Sequence, residues 1–133
     1  MVNTLRLEMN RALQKEFVPH LRQRGFTGSL PHFRRLGERV DLLTVQFDRY
    51  GEGFVIEVAR CPTTGVTTHW GQHISAGNVT ARDLHPNNRR RLGSPAPGHD
   101  GHWFRFDDGT ACIAVARSAV EFLDEAELWW SGC

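Results

Sequence analysis

Two neighbouring runs, Leu43-Thr44-Val45-Gln46-Phe47 and Phe54-Val55-Ile56-Glu57-Val58, carry apolar residues at every second position. Successive strand residues point to opposite faces, so Leu43, Val45 and Phe47 share one side, as do Phe54, Ile56 and Val58. Pairing Phe47 with Phe54 sets Val45 opposite Ile56 and Leu43 opposite Val58, which gathers all six on one face of an antiparallel hairpin. Thr44 then stands opposite Glu57 and Gln46 opposite Val55 on the other face. A slip of one residue would bury Gln46 and Glu57, so the register is strongly specified. Gly51 and Gly53 give the connecting loop the residues that a turn of that length uses.

The rest of the chain is arranged around this hairpin. Leu5, Met9, Leu13, Phe17 and Leu21 recur every four residues, with Ala12 and Val18 widening the stripe, which predicts a helix with one buried face. Asn3 or Thr4 can cap its start, Gly25 suits the left-handed residue that ends it, and Pro19 predicts a kink or a break. A strand over roughly Ser29 to Leu36 comes next, marked as an edge strand by Pro31. A tight turn at Gly37-Glu38 would set Phe33 opposite Leu42, whereas a three-residue turn would set it opposite Leu43, and the pattern leaves both open. Residues 60–102 are rich in Gly, Pro, Thr, Asn and His. They predict a long loop-rich surface excursion with one short strand at Gly65 to Trp70 and a helical turn near Val79 to Leu84. Trp103-Phe104-Arg105-Phe106 predicts a last short strand. A closing helix, capped by Asp107 or Asp108, shows Ile113, Ala116, Val120 and Leu123 on its inner face. The predicted fold is a single α+β domain over residues 1–133: an antiparallel sheet of about four or five strands packed against N-terminal and C-terminal helices.

Composition narrows the function classes. With 40% hydrophobic and 23% charged residues the chain is ordinary globular material, and its net charge of +1 gives no global pull toward nucleic acid or a membrane surface. Three cysteines without a CxxC pair fit a reduced, cytoplasmic setting better than a disulfide scaffold. Arg6 and Glu8 interrupt any apolar leader, and no uncharged stretch is long enough to span a bilayer.

Few patterns carry chemistry. His69 and His73 are spaced as zinc ligands are on a helix, but no Glu follows His69, and Gly71 and the adjacent threonines oppose a helix. On a strand the same pair would stand roughly 13 Å apart. His99 and His102 could complete a mononuclear site only if two loops converged, so a metal-dependent hydrolase built on His69, His73, His99 and His102 is the alternative reading. Cys112, in the first turn of the closing helix, has the best thiolate environment, opposed by Asp107 and Asp108. Arg89-Arg90-Arg91, with Arg82 nearby, is the densest local charge and suits a phosphate or an acidic protein surface. Arg34, Arg35 and Arg39 extend that patch if the loop folds back over the first strand. Trp103 reads as core, and at least one of Trp129 and Trp130 as a cover for a sheet edge or a partner.

Taken in order, Gly25-Phe26, Phe33-x-Arg35, Val45-Gln46, Phe54-x-Ile56-x-Val58, Arg89-x-Arg91-Leu92-Gly93 and His102-Trp103 resemble the bacterial family known as domain of unknown function 4304. The resemblance runs from the first helix through the closing one. It implies a small α+β protein and brings no catalytic residues with it. Phe104 stands where a second Trp is frequent in the family, and the Thr- and His-rich stretch at 63–73 is individual to this chain. Arg35, Gln46, Arg91 and Trp103 fall on recurring positions and, with Arg89, form the expected ligand-binding set. The resulting expectation is a non-enzymatic cytoplasmic binding or interaction domain without a cofactor. Its polar sheet face and Arg-rich loop would take a protein partner, as in an immunity-type role, or a small anionic ligand. Single-stranded nucleic acid is a further alternative.

Overall fold

The computed structural model describes residues 4–49, 53–93, 101–106 and 111–132. The N-terminal stripe forms α1 (Thr4–Glu16) and α2 (Val18–Gln23), separated at Phe17. Pro19 takes the second position of α2, where its missing N–H costs no helical bond, so the chain breaks into two helices. The buried stripe starts at Met9, because Leu5 is 39% exposed. Thr4 is the first helical residue and Asn3 lies outside the described residues. At the far end the Phe26 N–H donates to the Leu21 carbonyl and the Gly25 N–H to that of Arg22. This closure needs a left-handed residue, and Gly25 supplies it with φ of 93°.

The main sheet is six-stranded and antiparallel. Its order is β1 (Thr27–Ser29), β2 (His32–Leu36), β3 (Val40–Phe47), β4 (Gly53–Cys61) and β7 (Arg89–Arg91), while β8 (Phe104–Arg105) pairs with the other end of β4. The central hairpin has the register its alternation dictates, with Phe47 opposite Phe54, Val45 opposite Ile56 and Leu43 opposite Val58. The first strand divides at Leu30-Pro31, so the edge is β1 and β2 is an interior strand. Phe33 pairs with Leu43 through a turn at residues 37–39, which puts it on the same face as the six hairpin residues.

That face packs against the helices. Phe33, Leu43, Val45, Phe54, Ile56 and Val58 share a core with Met9, Leu13, Phe17, Leu21 and Leu92, and with residues of α3 (Cys112–Val120) and α4 (Leu123–Ser131). The closing helix is thus two helices, and its inner face is turned from the predicted one. Val115, Ala116, Ala119 and Leu123 are buried, whereas Ile113 is 41% exposed. The predicted caps Asp107 and Asp108 lie outside the described residues.

The excursion at 60–102 builds a second layer. Residues Val66–Thr67 (β5) and His73–Ile74 (β6) form a small hairpin, followed by 3-10 turns at Ala81–Asp83 and Pro86–Asn88. Val79, Ala81 and Leu84 pack onto Val40, Leu42, Ala59 and Cys61 on the sheet face away from the helices. The sheet is therefore buried on both sides at this end, at roughly 1.5–3 kcal/mol for each large apolar side chain covered. The second face is covered by apolar contacts there, and a polar row crosses its middle.

Candidate functional site

A polar row crosses the middle of the second face. His32 is opposite Thr44, Thr44 opposite Glu57, and Glu57 opposite Arg91, so one register position on each of four neighbouring strands carries a polar side chain toward the second layer. Thr44 and Glu57 are buried, at 1% and 6% exposure. A carboxylate removed from water needs opposite charge close by. β7 provides it: Arg89 Nη1 is 3.5 Å from Glu57 Oε1 and Arg91 Nε is 3.8 Å from Oε2. The arginine run is therefore an edge strand whose first and third members flank Glu57, while Arg90, opposite Val58, belongs to the helix face. Three consecutive arginines carry no strand signal of their own. The open hydrogen-bonding edge of β4 is what makes this segment a strand.

At the other end of the row, His32 Nδ1 lies 3.0 Å from Thr44 Oγ1. Burial lowers the pKa of this imidazole, and Arg82 and Arg34 lower it further against the opposing effect of Asp83. His32 is thus held neutral where the second layer rests on the sheet.

Bordered by Arg89, a cleft of about 520 Å³ opens, lined by Val66, Thr67, Thr68, His69, Trp70, Arg82, Asp83, Leu84, His85, Asn88 and Arg89. One wall is the β5–β6 hairpin and the other is the run of 3-10 turns leading into β7. Thr80 and Asp83 form a capping box, with the Thr80 N–H donating to Asp83 Oδ2 at 2.8 Å. The Asp83 carboxylate is thereby committed to backbone, and Arg82 beside it is exposed. Among the described residues no hydrogen bond or ion pair engages the Arg82 side chain. His85 is oriented by accepting the Asn87 N–H at its Nδ1, 3.1 Å away. Arg82, Arg89, His69, His85 and Asn88 together give the cleft positive and hydrogen-bond-donating groups, the chemistry that receives an anion.

Of the residues expected to bind a ligand, Arg89 and Arg91 stand on this face and Arg89 lines the cleft. Gln46 shares the face, opposite Val55, and is half-buried. Trp103 is half-buried with its ring against Gly53, where an added Cβ would lie 3.5 Å from Cε3. Arg35 does not join them. It pairs with Asp41 on the helix face, and its Nη1 and Nη2 donate to Glu127 at 3.0 and 2.7 Å. Its Nε and Nη2 donate to Asp41 at 3.0 and 2.8 Å, and its guanidinium lies over the rings of Phe26 and Trp130. Hydrogen bonding to Arg35 is the main reason why the Glu127 carboxyl is held below its ordinary pKa. Arg39 and Arg60 meanwhile donate to carbonyls at the C-terminal end of α4, where the helix dipole favours cations. Of the arginines expected to extend a binding patch, Arg35 and Arg39 instead fasten α4 to the sheet, whereas Arg34, on the second face, donates to the Ala76 carbonyl at 2.6 Å.

Among the described residues the histidines expected to form a metal site do not converge. His73 sits opposite Thr67 in the small hairpin, His69 packs edge-on to Trp70 in its turn, and His102 stacks on Phe122. His99 lies outside the described residues. Among the described residues no group of three or more His, Cys, Asp and Glu side chains is placed to hold a metal ion. Burial raises the thiol pKa of Cys61 and of Cys112, and Glu8 adds to the effect at Cys112, contrary to an activated thiolate. Trp70 and Thr68 are cleft residues that the residue patterns did not single out. The Thr80-x-x-Asp83 capping box was the local signal for the turn that presents Arg82.

A model of the family described as Domain of unknown function (DUF4304) matches residues 17–132. The chain belongs to that family. The match begins at Phe17, so α1 lies ahead of it. No curated protein and no solved structure matches the chain. Several residues that carried the resemblance have structural work in this DUF4304 member. Gly25 closes α2, Phe26 and Trp130 pack with ring centroids 5.0 Å apart, and Arg35 ties both rings to Glu127. Leu92 is fully buried, and the Gly93 N–H donates to the Glu125 carboxylate at 3.0 Å. A Cβ at Gly93 would come within 2.6 Å of His102 Cβ, so the Leu-Gly and His-Trp motifs meet at one close approach. Among the described residues no helix is long and apolar enough to cross a membrane.

Proposed function

We propose that this DUF4304 chain is a non-enzymatic binding domain whose recognition site is the cleft on the second sheet face, and that its ligand presents a small anionic group. The observation that carries this reading is Arg82. It is a cation lining a cleft beside Arg89, with no hydrogen bond or ion pair of its own among the described residues. Three of the nearby groups that could move protons already hold other partners. Glu57 sits between Arg89 and Arg91, Asp83 caps Thr80, and His32 is neutral against Thr44. Such a site attracts and orients charge better than it transforms it.

Calorimetric titration with inorganic pyrophosphate tests the reading. Saturable one-site binding is expected, weakened about tenfold in Arg82→Gln, the size of one lost charge-assisted hydrogen bond. Equal affinity in wild type and Arg82→Gln, or no binding in wild type, would contradict it. Arg82 is exposed and outside both cores, so the variant keeps the fold.

A further inference from the structure

Trp70 is 63% exposed at the turn of the β5–β6 hairpin, yet its indole is held in place. Its Nε1–H donates to Gln72 Oε1 at 3.1 Å, and the His69 ring meets it edge-on with centroids 4.8 Å apart. The turn beneath is bonded throughout. The Thr68 N–H donates to the Gln72 carbonyl at 2.8 Å, the Gln72 N–H to Thr68 Oγ1 at 3.0 Å, and the Gly71 N–H to the Thr68 carbonyl at 2.9 Å. Gly71, with φ of 90°, permits that closure, and a Cβ there would meet nothing within 4 Å, so the positive φ accounts for the glycine. A large aromatic surface kept exposed and oriented by these contacts is a stacking platform, part of whose ordering cost is met during folding.

The platform lines the same cleft as Arg82 and Arg89, and the cleft volume is within the range of small-molecule sites. We infer that the ligand carries a flat heteroaromatic ring together with its anionic group, as a nucleoside phosphate does. The ring stacks on Trp70 while Arg82 and Arg89 hold the phosphate. The inference rests on the anion site proposed above and names its ligand class. The shared chemistry, a base and a phosphate, is found both in a free nucleotide and at the end of a single strand. A base offers a π-face whatever its sequence, and stacking on an aromatic side chain is a recurrent way of holding one.

The test compares adenosine 5′-monophosphate, ribose 5-phosphate and inorganic pyrophosphate by calorimetry on the wild-type chain and on Trp70→Ala. Adenosine monophosphate is expected to bind about tenfold more tightly than ribose 5-phosphate, and the preference is expected to vanish in Trp70→Ala while pyrophosphate affinity stays unchanged. Equal affinity for the two sugar phosphates in wild type, with pyrophosphate still binding, would overturn the stacking inference and leave the anion site standing. A preference that survives in Trp70→Ala would overturn it too. Failure of all three to bind would remove both. A 5′-phosphorylated thymidylate tetramer run beside thymidine monophosphate separates the sources: tighter binding of the tetramer assigns a strand end, and equal or weaker binding assigns a free nucleotide. Trp70→Ala removes an exposed side chain outside both cores, and an unchanged melting temperature checks that the fold is intact.

Discussion

Arg89 Nη1 stands 3.5 Å from Glu57 Oε1, joining the edge strand that borders the cleft to a carboxylate buried under the second layer. Glu57 also faces Arg91. Removing the carboxylate leaves guanidinium charge facing a covered sheet without its counter-ion. Glu57→Ala is expected to lower stability by about 3 kcal/mol, the lower end for breaking a buried pair. Glu57→Gln keeps the shape and is expected to cost less. Urea unfolding of both variants reads the difference, and a loss below half a kcal/mol for Glu57→Ala would show that the pairing is not needed for the fold.

The second prediction concerns α4. Arg35 bridges Glu127 and Asp41, but the Arg35 and Glu127 side chains are 23% and 31% exposed, so solvent screens part of their attraction. A double-mutant cycle on Arg35→Ala and Glu127→Ala is expected to give a coupling energy of about 1 kcal/mol. Arg35→Ala alone is expected to cost more than that, because it also uncovers the faces of Phe26 and Trp130. Trp130 emission should shift to the red as α4 loosens. Arg35→Lys, which keeps the charge but loses the planar fork, should resemble Ala more than wild type.

Acidification should destabilise the fold in two steps. The folded pKa of His32 lies below the ordinary imidazole value, so the folded chain binds fewer protons than the unfolded one in that window. Its contribution is fully present above about pH 6.5 and is lost as pH falls toward the folded value. Glu127 is also held low, so its contribution is present above the usual carboxylate range and is lost as pH drops through the folded value. Melting temperature against pH should therefore begin to fall below about pH 6.5 and steepen in the carboxylate range. His32→Gln should remove the upper step and Glu127→Gln the lower. A profile unchanged in His32→Gln would contradict the half-buried imidazole held neutral against Thr44.

The faces of α3 give a packing test. Val115 is 5% exposed and Ile113 is 41% exposed, although Ile113 is the larger side chain. Val115→Ala is expected to lower stability by about 1–2 kcal/mol and Ile113→Ala by less than half of that. The reverse order would place α3 in the orientation that its sequence first suggests.

The sheet frame could be read from the chain because Leu43, Val45, Phe47, Phe54, Ile56 and Val58 obey one period, and a slip of one residue would turn Gln46 and Glu57 toward the apolar core under the helices. The second layer could not. Val79, Ala81 and Leu84 are too few and too irregularly spaced to announce a core, and they acquire one only because Val40, Leu42, Ala59 and Cys61 lie beneath them. The same gap misplaced Arg35. Its face depended on whether Phe33 met Leu42 or Leu43, a choice set by turn length rather than by alternation. The structure sets Phe33 opposite Leu43 and so turns Arg35 toward Glu127. Arg89 and Arg91 were legible as a charge cluster but not as a strand, because a ladder with β4 is a long-range property. Trp70 drew no notice beside its histidines, since exposure and a bonded turn leave no mark on composition.

The central claim is that the cleft between the β5–β6 hairpin and β7 receives an anion. Amide chemical-shift mapping during a pyrophosphate titration tests it most directly. The account predicts saturable shifts clustered at Thr68, His69, Arg82, Asn88 and Arg89, with α1 and α4 unmoved and the cluster silent in Arg82→Gln. Shifts centred instead on Arg24, Arg39 and the end of α4, or no saturable shifts at all, would contradict it.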